Sequence, residues 1–172
     1  MPILEENYST KCGDLAPPER SLARVPPEVR TSSTARTAYP VDQHSMIAVD
    51  TSALMAIALN EVEAEACIEV LVNENEILIS AGTVAEALIV AAGRGVAEEM
   101  TRLLDGLGFT VIEVTSASAR RAADAYGRWG KGVRPAALNF GDCFAYEVAK
   151  THGCQLLYVG GDFAKTDIGS VL

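Results

Sequence analysis

Four carboxylates, Asp50, Glu86, Asp142 and Asp162, hold the positions in this 172-residue chain where side chains could do chemistry. Asp50 ends the apolar run Ile47-Ala48-Val49, and Asp162 follows a second apolar run across the Gly160-Gly161 pair. Glu86 is the single charge in residues 84–92, and Asp142 opens the segment 141–151. Carboxylates gathered at one point repel and raise each other's pKa. A divalent cation removes that penalty, and hard oxygen donors suit Mg²⁺ or Mn²⁺ with waters completing the shell. An ion held this way activates water and stabilises the attacking and leaving oxygens of a phosphoryl displacement.

Each acid also has a plain structural use. Asp50, Thr51 and Ser52 are all suited to cap a following helix. Asp142 lies three residues after Asn139, the spacing of a capping pair, and an acid is favoured at a positive helix end. Asp162 sits in a Gly-Gly-Asp turn. Glu86 is harder to explain structurally. Its surroundings, Val84-Ala85-Glu86-Ala87-Leu88-Ile89-Val90-Ala91-Ala92, are apolar on every face of a helix, which predicts burial. A buried carboxylate needs a partner, and no Lys or Arg lies within one turn. A metal ion shared with the other acids would supply the missing charge.

The elements that must position these groups alternate along the chain. Met46–Val49 reads as a strand, residues 53–59 and 63–73 as helices, and 77–79 as a second strand. Ser80 caps a helix over 83–93, followed by a helix over 96–107 and a strand over 109–114. Residues 116–129 and 141–151 form two further helices, the second closed by Gly153, before a fourth strand at 155–159. Any fifth strand would be residues 168–172. Apolar strands alternating with helices predict an α/β fold: a parallel sheet of four to five strands with helices on both faces. In such sheets the functional crevice lies at the carboxyl ends of the strands, where Asp50 and Asp162 stand.

Residues 1–45 differ from the rest. They carry six of the seven prolines and the polar run 30–37, too little apolar surface to offset the entropy of ordering. They read as a disordered extension before a domain at 46–172. The start lacks the basic and apolar regions of a secretory signal, and no stretch is long and apolar enough to span a membrane. Four cysteines without CxxC spacing disfavour a zinc site or disulfide framework and fit a reducing cytoplasm. The net charge of −9 makes the chain a poor generic binder of phosphate backbones, so a nucleic-acid substrate would need a bound cation or a local basic strip.

At the four acids the sequence resembles the PIN-domain nucleases, and among them the VapC-like toxins of bacterial toxin–antitoxin pairs. The resemblance rests on four motifs in order: Ile47-Ala48-Val49-Asp50-Thr51-Ser52-Ala53; Val84-Ala85-Glu86; Pro135-Ala136-Ala137-Leu138-Asn139-Phe140-Gly141-Asp142-Cys143-Phe144-Ala145; and Gly161-Asp162-Phe163-Ala164-Lys165-Thr166-Asp167-Ile168. It implies a PIN-like three-layer fold and a Mg²⁺-dependent endoribonuclease. Asp50 and Asp142 would be the principal metal ligands, with Glu86 and Asp162 completing the catalytic cluster. Thr51, Ser52 and Asn139 would support them from behind. Many relatives carry Asn or Asp where this chain has Gly161, which leaves open whether Asp162 or Asp167 approaches the metal. The resemblance also implies an RNA substrate, a cognate antitoxin and a homodimer.

The segment 126–134 combines Tyr126, Arg128, Trp129, Lys131 and Arg134. Its cations and aromatics would either hold an RNA backbone and stack a base, or pack on the core with the charges solvated. Arg120 and Arg121 read as helix surface, and Cys143 as a buried small residue. Two other functions compete. A catalytically silent PIN-like module would bind RNA or protein only, against which stands the presence of all four acids. An aspartyl-phosphate enzyme would want an acidic pair after the first strand, and Asp50 stands alone. Deleting residues 1–45 is expected to leave folding and RNA cleavage intact, measured by thermal melting and by cleavage rate; loss of either would make the extension part of the working protein.

Overall fold

The computed structural model describes residues 46–132 and 136–172, so the expected disorder of residues 1–45 falls outside the described residues. Runs rich in Ile, Leu and Val form the strands β1 (Met46–Val49), β2 (Glu76–Ser80), β3 (Thr110–Ile112) and β4 (Gln155–Leu157). All pairings between them are parallel, in the order β3-β2-β1-β4. The crossovers are α1 (Thr51–Ala58), α2 (Ala64–Asn73), α3 (Ala81–Arg94), α4 (Ala97–Gly106), α5 (Ser116–Trp129) and α6 (Asp142–His152).

Successive side chains of a strand point to opposite faces, and these strands bury both. Ile47, Val49, Ile77, Ile79 and Leu157 pack with residues of α1 to α4, among them Leu54, Cys67, Ala87 and Met100. Ala48, Leu78 and Leu156 pack with Ala122 and Ala125 of α5 and Tyr146 and Val148 of α6. The three-layer arrangement follows. Each fully buried aliphatic side chain in it contributes about 1.5–3 kcal/mol.

Connectivity decides where the layers leave an opening. The chain steps from β1 to β2 to β3 in one direction, then returns over the other face through α5 and α6 to set β4 beside β1. The direction of winding therefore reverses between β1 and β4, and a crevice forms outside their carboxyl ends.

The sheet has four of the expected four to five strands, and the expectation for α3 is corrected. The end of the chain forms no full fifth strand: Leu156 bridges Ser170 only, through Leu156 N–H to Gly169 O (2.9 Å) and Val171 N–H to Leu156 O (3.3 Å). Gly169 in this segment weakens a strand, because glycine loses more backbone entropy on ordering and has no side chain to pack. Nor is α3 buried all round. Thr83, Ala87 and Ala91 are buried, whereas Ile89 is 73% exposed. A helix lying on a layered core buries one stripe, and here small residues form that stripe.

Glu147 of α6 is 5% exposed and lies 26 residues from its partner Arg121 on α5. Arg121 Nε donates to Glu147 Oε1 (2.7 Å), its Nη2 forms an ion pair with the same oxygen (2.6 Å), and Thr151 Oγ1 donates to it as well (2.9 Å). Arg121 is thus a clasp between two helices rather than plain surface. Replacing Arg121 by Ala strands a buried carboxylate, and chemical denaturation is expected to show a loss of about 1–3 kcal/mol; a change within error would mean the clasp is incidental.

Candidate active site

Where β1 ends, Asp50 turns the chain into α1. Its backbone N–H bonds Leu157 O (3.0 Å), continuing the β1–β4 ladder, and its side chain caps the helix. Oδ2 accepts from Ser52 N–H (2.9 Å) and from Ser52 Oγ (2.6 Å). Ser52 Oγ in turn accepts from Val159 N–H (3.1 Å), which ties the end of β1 to the chain leaving β4. Asp50 is 2% exposed, and its other oxygen, Oδ1, is buried with no hydrogen-bond partner. The capping use and an available carboxylate oxygen thus coexist in one residue.

Asp142 is also doubly engaged. Its Oδ2 accepts from Asn139 N–H (2.6 Å), and its own N–H donates to Asn139 Oδ1 (3.0 Å), a reciprocal pair at the start of α6. Glu86 projects from the second turn of α3 and accepts from Thr51 Oγ1 (2.8 Å). Its carboxylate lies against the backbone of Gly141, in the space a Cβ there would fill. Only glycine leaves that room, so the residue before Asp142 is a socket for Glu86. Glu86 is half-buried, and its near partner is a hydroxyl rather than a cation.

Asp50, Thr51, Ser52, Glu86, Asn139 and Asp142 line one pocket of about 250 Å³. Arg94 and Glu61 line it too, which sequence reading missed. For Arg94 a signal existed, because it lies eight residues beyond Glu86, close to two helical turns, and so on a similar face. Asp162 is exposed, yet near enough to Asp142 to raise its pKa. Asp167 is committed elsewhere: it accepts from Tyr146 Oη (2.6 Å) and pairs with Lys150 Nζ (2.9 Å), contacts that hold its carboxyl below the usual range. Of the two, Asp162 is the one beside Asp142.

The electrostatics are those of crowded, partly dry acids. Burial pushes Asp50 up to about 7, and Asp142 and Glu86 add repulsion against the lowering effect of Ser52. Burial likewise raises Glu86 and Asp142, the latter opposed by the Asn139 amide and by Lys131 and pushed further by Asp162. Among the described residues no three His, Cys, Asp or Glu side chains form a ready-made metal cage. A small hard cation does not need one, since it keeps several waters and takes one or two carboxylates. The bare, buried Oδ1 of Asp50 and the mutually raised acids are what such an ion would satisfy, so the donor set fits it.

The basic segment divides. Lys131 stands near enough to Asp142 to lower its pKa, whereas Arg128 lines a separate cavity of about 290 Å³ between α5 and α6 with Arg121, Tyr146 and Lys150. Arg134 lies outside the described residues. Trp129 turns its indole N–H inward to Tyr146 Oη (3.1 Å), which favours the packing use of this ring. Cys143 is buried, donates to Asn139 O (3.2 Å) and has its thiol pushed up to about 12, so it is no nucleophile.

Because Asp50 has a native pKa of about 7 against an ordinary 3.8, the native state keeps a proton that the unfolded chain has lost between those values. In chelator, the melting temperature is therefore expected to fall with rising pH across this window, relative to Asp50→Asn, and Mg²⁺ or Mn²⁺ should restore it most above the native pKa. A wild-type-minus-variant difference that stays flat with pH would rule out this account of Asp50.

Comparison with known proteins follows the same residues. The family model described as PIN domain matches residues 47–169. Ribonuclease VapC36 of Mycobacterium tuberculosis is 40% identical over 124 residues, spanning 70% of this chain and 89% of its own length. Among solved structures, VapC20 of Mycobacterium tuberculosis, described as a sarcin–ricin loop cleaving toxin, superposes with a TM-score of 0.61 at 19% identity, over 73% of this chain and 98% of that one. A toxin–antitoxin complex from Klebsiella pneumoniae gives 0.53 at 20% identity, over 70% and 92%.

Proposed function

The chain belongs to the PIN-domain family and within it to the VapC ribonucleases, and from that premise we propose that it hydrolyses RNA phosphodiester bonds at the Asp50–Glu86–Asp142 pocket as the toxin of a toxin–antitoxin pair. The observation that carries this reading is the buried, unpartnered Oδ1 of Asp50 in a pocket shared with Glu86 and Asp142. A neutral RNA-binding module has no use for so costly an arrangement.

Asp50 and Asp142 would hold a divalent ion, Mg²⁺ or Mn²⁺, which when bound supplies an activated water and offsets charge developing on the phosphoryl oxygens. The chain's own groups hold the rest in place. Ser52 fixes one oxygen of Asp50 and leaves the other for the ion. Asn139 does the same for Asp142, and the Thr51 hydroxyl fixes one oxygen of Glu86. With its pKa raised by burial, Glu86 is suited to take a proton at the pocket wall. Asp162 adds negative charge beside Asp142. Lys131 provides a cation for substrate phosphate, and Arg128 and Arg134 are the further RNA contacts of this reading.

The same reading includes a cognate antitoxin and assembly as a homodimer. Support comes from the Klebsiella pneumoniae neighbour, a toxin–antitoxin complex, and from exposed apolar side chains such as Val111 on β3 and Ile89 on α3. The working domain is 46–172, with residues 1–45 an extension outside the family match. A cytoplasmic location belongs to the same proposal, with support from the described cysteines, which are free.

The decisive experiment compares cleavage of a mixed-sequence RNA by wild type and by Asp142→Asn, each with Mg²⁺ and with chelator. Chelation should abolish cleavage, and the variant should lose about 100- to 1000-fold, the scale of losing one charge-stabilising group. Cleavage that survives chelator, or an Asp142→Asn variant with wild-type rate, would refute the proposal.

A further inference from the structure

Phe140 stands between two site residues, Asn139 and Gly141, and two positions before Asp142, yet its side chain is 74% exposed. Leaving a large apolar ring in water beside a charged pocket is unfavourable, and the ring is not loose. It meets Phe144 edge-to-face, with centroids 5.0 Å apart and planes at 88°. Phe144 is wedged in turn against Gly82 at the start of α3, where a Cβ would come within 2.6 Å of its ring. The Gly82–Phe144–Phe140 stack therefore holds one exposed aromatic ring on the short segment between two residues that line the pocket, Asn139 and Asp142. In either sense of the edge-to-face pair, Phe140 keeps a face in water.

Resting on the ribonuclease reading above, we propose that Phe140 is a stacking platform for an unpaired nucleobase next to the scissile phosphate. With 23 Asp and Glu against 14 Lys and Arg, the chain gains little affinity from its overall charge. Stacking on an aromatic ring does not depend on charge and tolerates any base. Only an unpaired base offers its face, because in a duplex that face is covered by its neighbours. Lys131, close to Asp142, is placed to take the adjoining phosphate while the ring takes the base. Phe140 is thus a positioning residue: it sets the register of the strand over the acids and takes no part in proton or bond chemistry.

The test uses the full chain. Phe140→Trp places a reporter at the site, and wild type, whose single Trp129 is bonded inside, is the background. In chelator, a single-stranded mixed-sequence RNA oligonucleotide should quench the new tryptophan, whereas the same strand annealed to its complement should not. With metal, Phe140→Ala should raise KM about tenfold with kcat little changed, and Phe140→Tyr should retain the wild-type KM. An unchanged KM in Phe140→Ala, or equal quenching by duplex, would overturn the assignment. So would an unchanged KM combined with weakened binding of purified antitoxin, which would assign the ring to a protein interface. Should wild type cleave no RNA at all, the parent proposal fails, while the quenching measurement still decides this one.

Discussion

Asp50 holds a carboxylate almost out of water, one oxygen bonded by Ser52 and the other by nothing, in a pocket that also contains Glu86 and Asp142. Burial and mutual repulsion both act against ionisation there, which is why its pKa moves to about 7. The fold has to carry that unfavourable free energy elsewhere in the chain. Two cores, one on each face of the sheet, supply it, and each is assembled from strands whose alternate residues are both apolar.

The same sheet explains why the charges meet at that point. A parallel strand delivers its last residue to the carboxyl edge, and reversal of winding between β1 and β4 opens the edge beside Asp50. Ser52 then locks the two strand exits together by accepting from Val159 N–H. Glu86 and Asp142 come from helices on opposite faces, and they approach because Gly141 has no side chain to keep the Glu86 carboxylate away. The constraint runs through small residues: Gly82 admits Phe144, Gly141 admits Glu86, and Ala87 and Ala91 let α3 lie close.

Side chains near the site also serve the scaffold. Asp50 caps α1, and Asp142 closes a reciprocal pair with Asn139. The capping reading and the chemical reading of these acids were alternatives only on paper, because a carboxylate has two oxygens and a cap uses one. Asp167 shows the opposite case. Both its oxygens are taken, by Tyr146 and Lys150, and it is bound into the frame that joins α6 to the loop after β4.

The strands, the helices and their alternation were legible in the sequence because they rest on local patterning and caps, such as the unbroken apolar runs of β1 and β2 and the Ser80 cap of α3. Asp50, Asp142 and Asp162 stood out at a strand exit, a helix start and a turn, and Glu86 as the lone charge of an apolar helix; three of them, Asp50, Glu86 and Asp142, line one pocket. Misreadings came where partners are distant in the chain. Composition made α3 look buried throughout, but how many of its faces are covered depends on which elements pack against it. Arg121 looked like surface because its partner Glu147 lies a helix away, and nothing local to Asp167 announced its contacts with Tyr146 and Lys150. Local sequence thus determined the elements and the kinds of chemical group they carry, through short-range backbone preferences. The tertiary structure alone decided which oxygens are left bare, which charges are neutralised and which ring faces solvent, because burial and pairing are properties of the packed chain.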